Sequence, residues 1–265
     1  MKFRSSTNPS AEMPFLEHLE ELRWRILWSL IALVVCAFLA FAVVLKFDVI
    51  GLLKRPIEPY LVDNNGKLII LGVTDGFFIS FKIAIAMGII LASPIIFYQV
   101  WGFLAPALLP KERRAIVPAL YLGLILFAAG AALAYYAALP FTLKFMLNFQ
   151  SESLEPQITA PLYFSFVVKL MMGFGIIFEM PVVIMVLTAI GVANSKFLSA
   201  KRRYAIGAMA ILAAMITPGD AITATVILMG PLMLLYELSI VLSKLVERRR
   251  LRDAQPEALE PEYPS

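Results

Sequence analysis

Apolar residues fall in four long runs, at 26–45, 76–100, 115–138 and 162–190, and in two shorter ones, at 204–217 and 221–236. About 20 apolar residues in helical form cross a hydrocarbon core, so the four long runs predict spanning helices. The two short runs are 14 and 16 residues long. At about 1.5 Å per residue they reach roughly 21 and 24 Å against a core of about 30 Å, which suits only a thinned bilayer. The pattern predicts an all-α polytopic membrane protein with six transmembrane helices, the last two short.

Polar segments divide the chain into an N-terminal tail and amphipathic helix (1–25), a membrane domain (26–242) and a charged tail (243–265) expected to be disordered. Pro14 suits the first turn of a helix, and Phe15, Leu19, Leu22 and Ile26 recur at helical spacing, which predicts a surface helix turning into the first span. On its other face Glu21 and Arg25 are spaced for an i,i+4 ion pair. Residues 46–74 carry Pro56, Pro59 and Asn64-Asn65-Gly66 and read as an outer loop with short helical or extended pieces. Pro94 is expected to interrupt the second span. Thr217-Pro218-Gly219-Asp220 makes a tight turn in which Pro218 stops one helix and Asp220 caps the next.

Composition agrees with this reading: 60% of residues are hydrophobic and 16% charged, far from a soluble domain. The formal charge of +4 is explained by position rather than by nucleic acid. Sixteen of the 23 Lys and Arg residues fall in segments 1–25, 111–114, 196–203 and 244–252, which six spans place on one side of the membrane. By the positive-inside rule that side, with both termini, is cytoplasmic. The single Cys36 and single His18 leave no disulfide within the chain and no multi-histidine metal centre, and no phosphate-cradling or hydrolase motif is present. No cofactor is expected.

Three places hold candidate chemistry. Residues 98–114 read as a membrane-surface loop in which Tyr98 and Trp101 favour the headgroups, Pro106 and Pro110 stop the helix, and Glu112 is the one acid among Lys111, Arg113 and Arg114. Lys82 and Lys169 each lie about seven residues, roughly 10 Å, from the outer ends of their spans and are expected to snorkel. Glu179 lies ten or more residues from either end of the fourth span, beside Pro181. A carboxylate so deep faces a bundle interior or a wet cavity and is a functional candidate. Two other readings of that acid are weighed here. An ion-coupled secondary transporter of a small solute would be expected to show inverted repeats, whereas the first two runs are separated by a long loop and the last two by about four residues. An intramembrane hydrolase would need a nucleophile, metal or second acid at the same depth.

Taken together, His18-Leu19-Glu20-Glu21-Leu22-Arg23, Tyr98-Gln99-Val100-Trp101 with Phe103, Pro106-Ala107-Leu108, Glu112-Arg113-Arg114, Phe178-Glu179-Met180-Pro181, Arg202-Arg203-Tyr204, the 217–220 turn and Leu235-Tyr236-Glu237 resemble the TatC family of the twin-arginine protein translocase. The family's Thr-Pro-Pro-Asp reads Thr-Pro-Gly-Asp here. The resemblance implies a receptor subunit in the bacterial cytoplasmic (inner) membrane that binds twin-arginine signal peptides of folded cargo. It implies association with single-span TatA/TatB-type subunits in a multimeric complex driven by proton-motive force. Glu21, Phe103 and Glu112 match the family's signal contacts, and Arg23 matches a further position on that face. For Glu179 the expected role is a hydrogen bond to a polar side chain of a partner span.

Overall fold

The computed structural model describes residues 15–61, 67–104, 116–148, 157–216 and 223–254. Among them the architecture is all-α. The only bridge between extended segments is isolated: Ile69 N–H donates to Ile158 O (3.2 Å) and Ala160 N–H to Ile69 O (2.8 Å).

Helix α1 (Phe15–Lys46) is one continuous helix of 32 residues, so the expected surface helix and first span are a single element without a turn. Nothing in its sequence stops it, since it holds neither Gly nor Pro. Its polar stripe faces the protein, whereas Leu19 and Ile26 are exposed. Most of its apolar residues, from Trp24 to Leu45, are exposed as well, as befits a helix at a lipid boundary; Ala40 and Val44 are buried. It packs along α3 (Asp75–Leu104), the two backbones approaching so closely that a Cβ on Gly88 would sit 2.6 Å from Ala37 Cα.

Between them α2 (Val49–Lys54) and a 3-10 turn (Arg55–Tyr60) form the short helical pieces expected between the first two spans. Two tyrosines clamp it: Tyr135 Oη donates to Leu52 O (2.5 Å) and Tyr163 Oη to Leu53 O (2.7 Å), while Ile57 is fully buried beneath it. Leu52 O also accepts from the Arg55 N–H at the C-cap, so the Tyr135 hydroxyl is its second donor at the helix C-terminus.

Pro94 does not interrupt α3. The carbonyl it would have bonded, Ile90 O, accepts instead from Ser93 Oγ at 2.7 Å, so the freed acceptor is satisfied and the helix continues. The third span is also longer than expected. It runs from α4 (Ile116–Leu133) through a π-helical turn (Ala134–Ala138) into α5 (Leu139–Asn148). In that turn Leu139 N–H reaches Ala134 O, the wider loop lying immediately before Pro140.

The fourth span, expected to be one long helix, is broken in the middle. Helix α6 (Ala160–Phe178) ends and α7 (Met180–Ala189) begins at Glu179. Pro181 has no N–H to offer a carbonyl one turn back, so the last turn of α6 tightens and Glu179 N–H bonds Ile176 O at 3.1 Å. The core runs along α6, where Tyr163, Phe164, Val167, Leu170, Phe174 and Phe178 are buried.

A short α8 (Ser195–Ala200) leads into α9 (Arg202–Ile216), whose 15 residues reach about 22 Å, the short fifth helix that was expected. The last helix is different: α10 (Thr223–Ala254) has 32 residues and passes straight through the boundary at 243. The apolar run expected to end at Tyr236 continues through Leu238, Ile240, Val241, Leu242, Leu245 and Val246, and neither Gly nor Pro follows before Pro256. The expected disorder therefore does not apply to residues 243–254. Leu232, Leu235, Tyr236, Ser239, Ile240 and Ser243 form its buried face. Glu247 accepts from both Ser195 N–H (2.7 Å) and Ser195 Oγ (2.5 Å), Tyr236 Oη donates to Leu198 O (2.8 Å), and Arg202 pairs with Glu237.

Among the described residues, five helices are long and apolar enough to cross a membrane, namely His18–Lys46, Asp75–Phe103, Pro118–Asn148, Ala160–Ala189 and Met229–Arg248. Pro218, Gly219 and Asp220 lie outside the described residues.

Candidate functional site

Residues His18, Glu21 and Arg25 are three and four apart on α1 and so share one face of the helix. That face meets the C-terminal end of α3. His18 stacks on Phe103 with ring centroids 4.3 Å apart and planes 10° apart. Arg25 donates from Nε (2.8 Å) and Nη2 (2.5 Å) to Glu21 Oε1, and from Nη1 to Gln99 Oε1 at 3.4 Å. Gly102 makes room for the guanidinium, since a Cβ there would collide with Nη1.

The i,i+4 pair read from the sequence is therefore present, but it uses only one carboxylate oxygen. Glu21 Oε2 is buried and has no hydrogen-bond partner among the described residues; His18 Nδ1, at 3.6 Å, is beyond hydrogen-bond distance. A buried acceptor left open costs free energy unless a donor arrives, so this oxygen is where an added cation would gain most. The structure thus brings Glu21 and Phe103 together through His18. Arg23, two residues on and about 200° around the helix, is exposed and apart from this cluster. Glu112, Pro106 and Pro110 lie outside the described residues.

Trp101 is not at the headgroups as expected. It is 5% exposed and packs against Ala119, Val182, Met185 and Val186, fixing the end of α3 that carries Phe103, whereas Tyr98 is exposed. An indole with a full apolar shell available is better buried than interfacial.

Glu179 occupies the break between α6 and α7. Its Oε2 faces Gly123 of α4, close enough that a Cβ there would lie 3.0 Å away, and its Oε1 is buried without a partner among the described residues. Of the described side chains, only Glu21 and Glu179 carry such an open buried oxygen. Pro181, the cause of the break, is itself fully buried.

A family model described as "Sec-independent protein translocase protein (TatC)" matches residues 17–231, more than three quarters of the chain. The chain belongs to the TatC family. A TatC of Aquifex aeolicus is 41% identical over 240 residues, covering 90% of this chain and 98% of the relative. A TatC of Carboxydothermus hydrogenoformans is 37% identical over 235 residues, covering 89% and 94%. Two crystal structures titled as the twin arginine translocase receptor TatC superpose with TM-scores of 0.71 and 0.73 at 40% and 41% identity, covering 87% and 85% of this chain and 99% of each of those. Membership makes the chain a membrane component of the Sec-independent translocase, a protein-transport subunit and not an enzyme.

Within the TatC site, sequence reasoning missed His18, Gln99 and Gly102. His18 falls at i−3 from Glu21, a spacing that signals a shared face. Gln99 and Gly102 come into play only once α3 is laid beside α1.

Proposed function

We propose that this chain binds twin-arginine signal peptides of folded cargo on the surface formed by Glu21 and Phe103, with Glu112 as a further signal contact and Arg23 as a further position on the cytoplasmic face. One observation carries the reading: the open Glu21 Oε2 next to the exposed edge of a stacked aromatic pair. A guanidinium is a planar fork that bonds carboxylates in a fixed geometry, whereas a lysine ammonium is a strongly hydrated point charge. Two acids, Glu21 and Glu112, would select paired arginines by requiring both to engage at once. The crystal structures that carry the word "receptor" in their titles support the same role.

This face is cytoplasmic by the distribution of Lys and Arg, and both termini lie on the cytoplasmic side of the bacterial inner membrane. Single-span TatA/TatB-type subunits pack on the outer surface of the bundle, and Glu179 Oε1 accepts a hydrogen bond from a polar side chain of one of them. The assembly is multimeric and uses the proton-motive force.

Photo-crosslinking from position 103 to a twin-arginine signal and to a twin-lysine control tests the binding site, with strong labelling of the former expected. Equal labelling of both refutes it. Glu179→Leu should reduce co-purification of the single-span partner; undiminished partner recovery and export would remove Glu179 from the interface.

A further inference from the structure

At the opposite end of α3 from the His18–Glu21 cluster, a groove of about 430 Å³ runs between α3 and α6. Phe78, Phe81, Ile85, Ile89 and Met172 line it, and a single cation, Lys82, stands in its wall. Lys82 does not run along its own helix to the interface, as snorkelling would have it. Its Nζ crosses to α6 and donates to Ser165 Oγ at 2.5 Å.

That serine holds the ammonium without neutralising it. Ser165 Oγ is itself the donor to Pro161 O (2.5 Å), which leaves a lone pair for Lys82. One of the three ammonium donors is thereby used, and no described carboxylate lies within ion-pair distance. Lys169, exposed, is one turn beyond Ser165 and about 40° around α6; it does not line the groove itself but directly follows Val168, which does. Lys82 is seven residues, about 10 Å, into α3, a depth at which a charge needs a counter-charge or water.

We propose that this groove holds an anionic phospholipid, its phosphate between Lys82 and Lys169 and one acyl chain along Phe81, Ile85 and Ile89. Charge complementarity selects the occupant. The ammonium ions ask for an anion, and the apolar floor beside them asks for a hydrocarbon chain on the same molecule. Free phosphate offers the first without the second, and phosphatidylcholine the second without a net charge.

Native mass spectrometry of the purified full chain, released from detergent containing equal phosphatidylglycerol and phosphatidylcholine of identical chains, reads this directly. The wild type should retain phosphatidylglycerol preferentially. Lys82→Gln keeps a donor for Ser165 and removes the charge, and should lower that preference about fivefold, the effect of one lysine near a phosphate. Lys169→Gln, at an exposed position, should act in the same direction and serves if the first variant unfolds. Inorganic phosphate should not displace the lipid. Equal retention of both lipids by the wild type, an unchanged preference in both variants, or displacement by inorganic phosphate would each overturn the proposal. So would crosslinking of a partner span from position 85 without any lipid preference.

Discussion

Arg25 and an incoming signal arginine want the same carboxylate, so Arg25→Met is predicted to tighten signal-peptide binding rather than weaken it. In the resting structure both Arg25 bonds land on Glu21 Oε1, and the two side chains are 25% and 23% exposed. A partly exposed i,i+4 pair of this kind is worth about 0.2–1 kcal/mol net. Relieving that competition corresponds to a Kd lower by about 1.4- to 5-fold. Fluorescence anisotropy of a labelled twin-arginine peptide against protein in nanodiscs, at about 0.15 M salt where surface charges are screened beyond about 8 Å, measures the change. Lys196→Met, an exposed cation at the same end of the bundle, gives the effect of simply removing one positive charge. If Arg25→Met raises Kd tenfold or more while Lys196→Met does not, Arg25 belongs to the signal-binding surface and the reasoning from competition fails.

Three further outcomes follow from the same geometry. Gly102→Ala puts a Cβ against Arg25 Nη1; because the obstacle is the tip of a flexible side chain, the protein should keep its melting temperature while its peptide Kd moves in the direction of Arg25→Met. Tyr163→Phe removes the donor to Leu53 O inside a site where the ring is 4% exposed, and should cost about 1 kcal/mol in thermal unfolding in detergent, with the outer segment becoming more open to proteolysis. Glu247→Ala removes the acceptor for two Ser195 donors and should cost about 2 kcal/mol, as should truncation after residue 242, whereas truncation after residue 254 should leave the melting temperature unchanged.

The membrane architecture was legible in the sequence because span length and the helical period are direct consequences of bilayer thickness and backbone geometry. The depth of Glu179 beside Pro181 was legible too, but the break there was not expected, although Pro181 must release a carbonyl one turn back. Proline by itself was a poor guide elsewhere. Pro94 looks the same in sequence as Pro181, yet Ser93 repairs the carbonyl it frees, and the turn before Pro140 widens to absorb it. The charge at Glu237 was also read as the end of the last apolar run, although Leu238, Ile240, Val241 and Leu242 carry it on. The Ser195–Glu247 contact, 52 residues apart in the chain, helps hold α10 on course beyond that point and is invisible to any local pattern. At the site, the Glu21–Arg25 spacing was readable, but whether it was neutralised or open depended on which oxygen Arg25 takes. The guanidinium is also held by Gln99 and given room by Gly102, both on another helix.

The distribution of satisfied and open polar atoms divides the bundle by task. At its two ends nearly every polar contact is a closed latch: tyrosine hydroxyls on the carbonyls of α2, Glu247 on the start of α8, Thr188 Oγ1 on Ser243 Oγ at 3.0 Å. The two open buried oxygens, on Glu21 and Glu179, belong to side chains set elsewhere, one on a helix docked against α3 and one at a proline-induced break. Rigid surroundings keep an unpaired acceptor from finding a local partner by relaxing toward one, which a floppy loop would allow. The cost of leaving it open is then recovered only when a donor of the right shape arrives from outside the chain. An arrangement of this kind favours selective binding of charged and polar partners over turnover of a substrate, in agreement with a family of translocase subunits rather than enzymes.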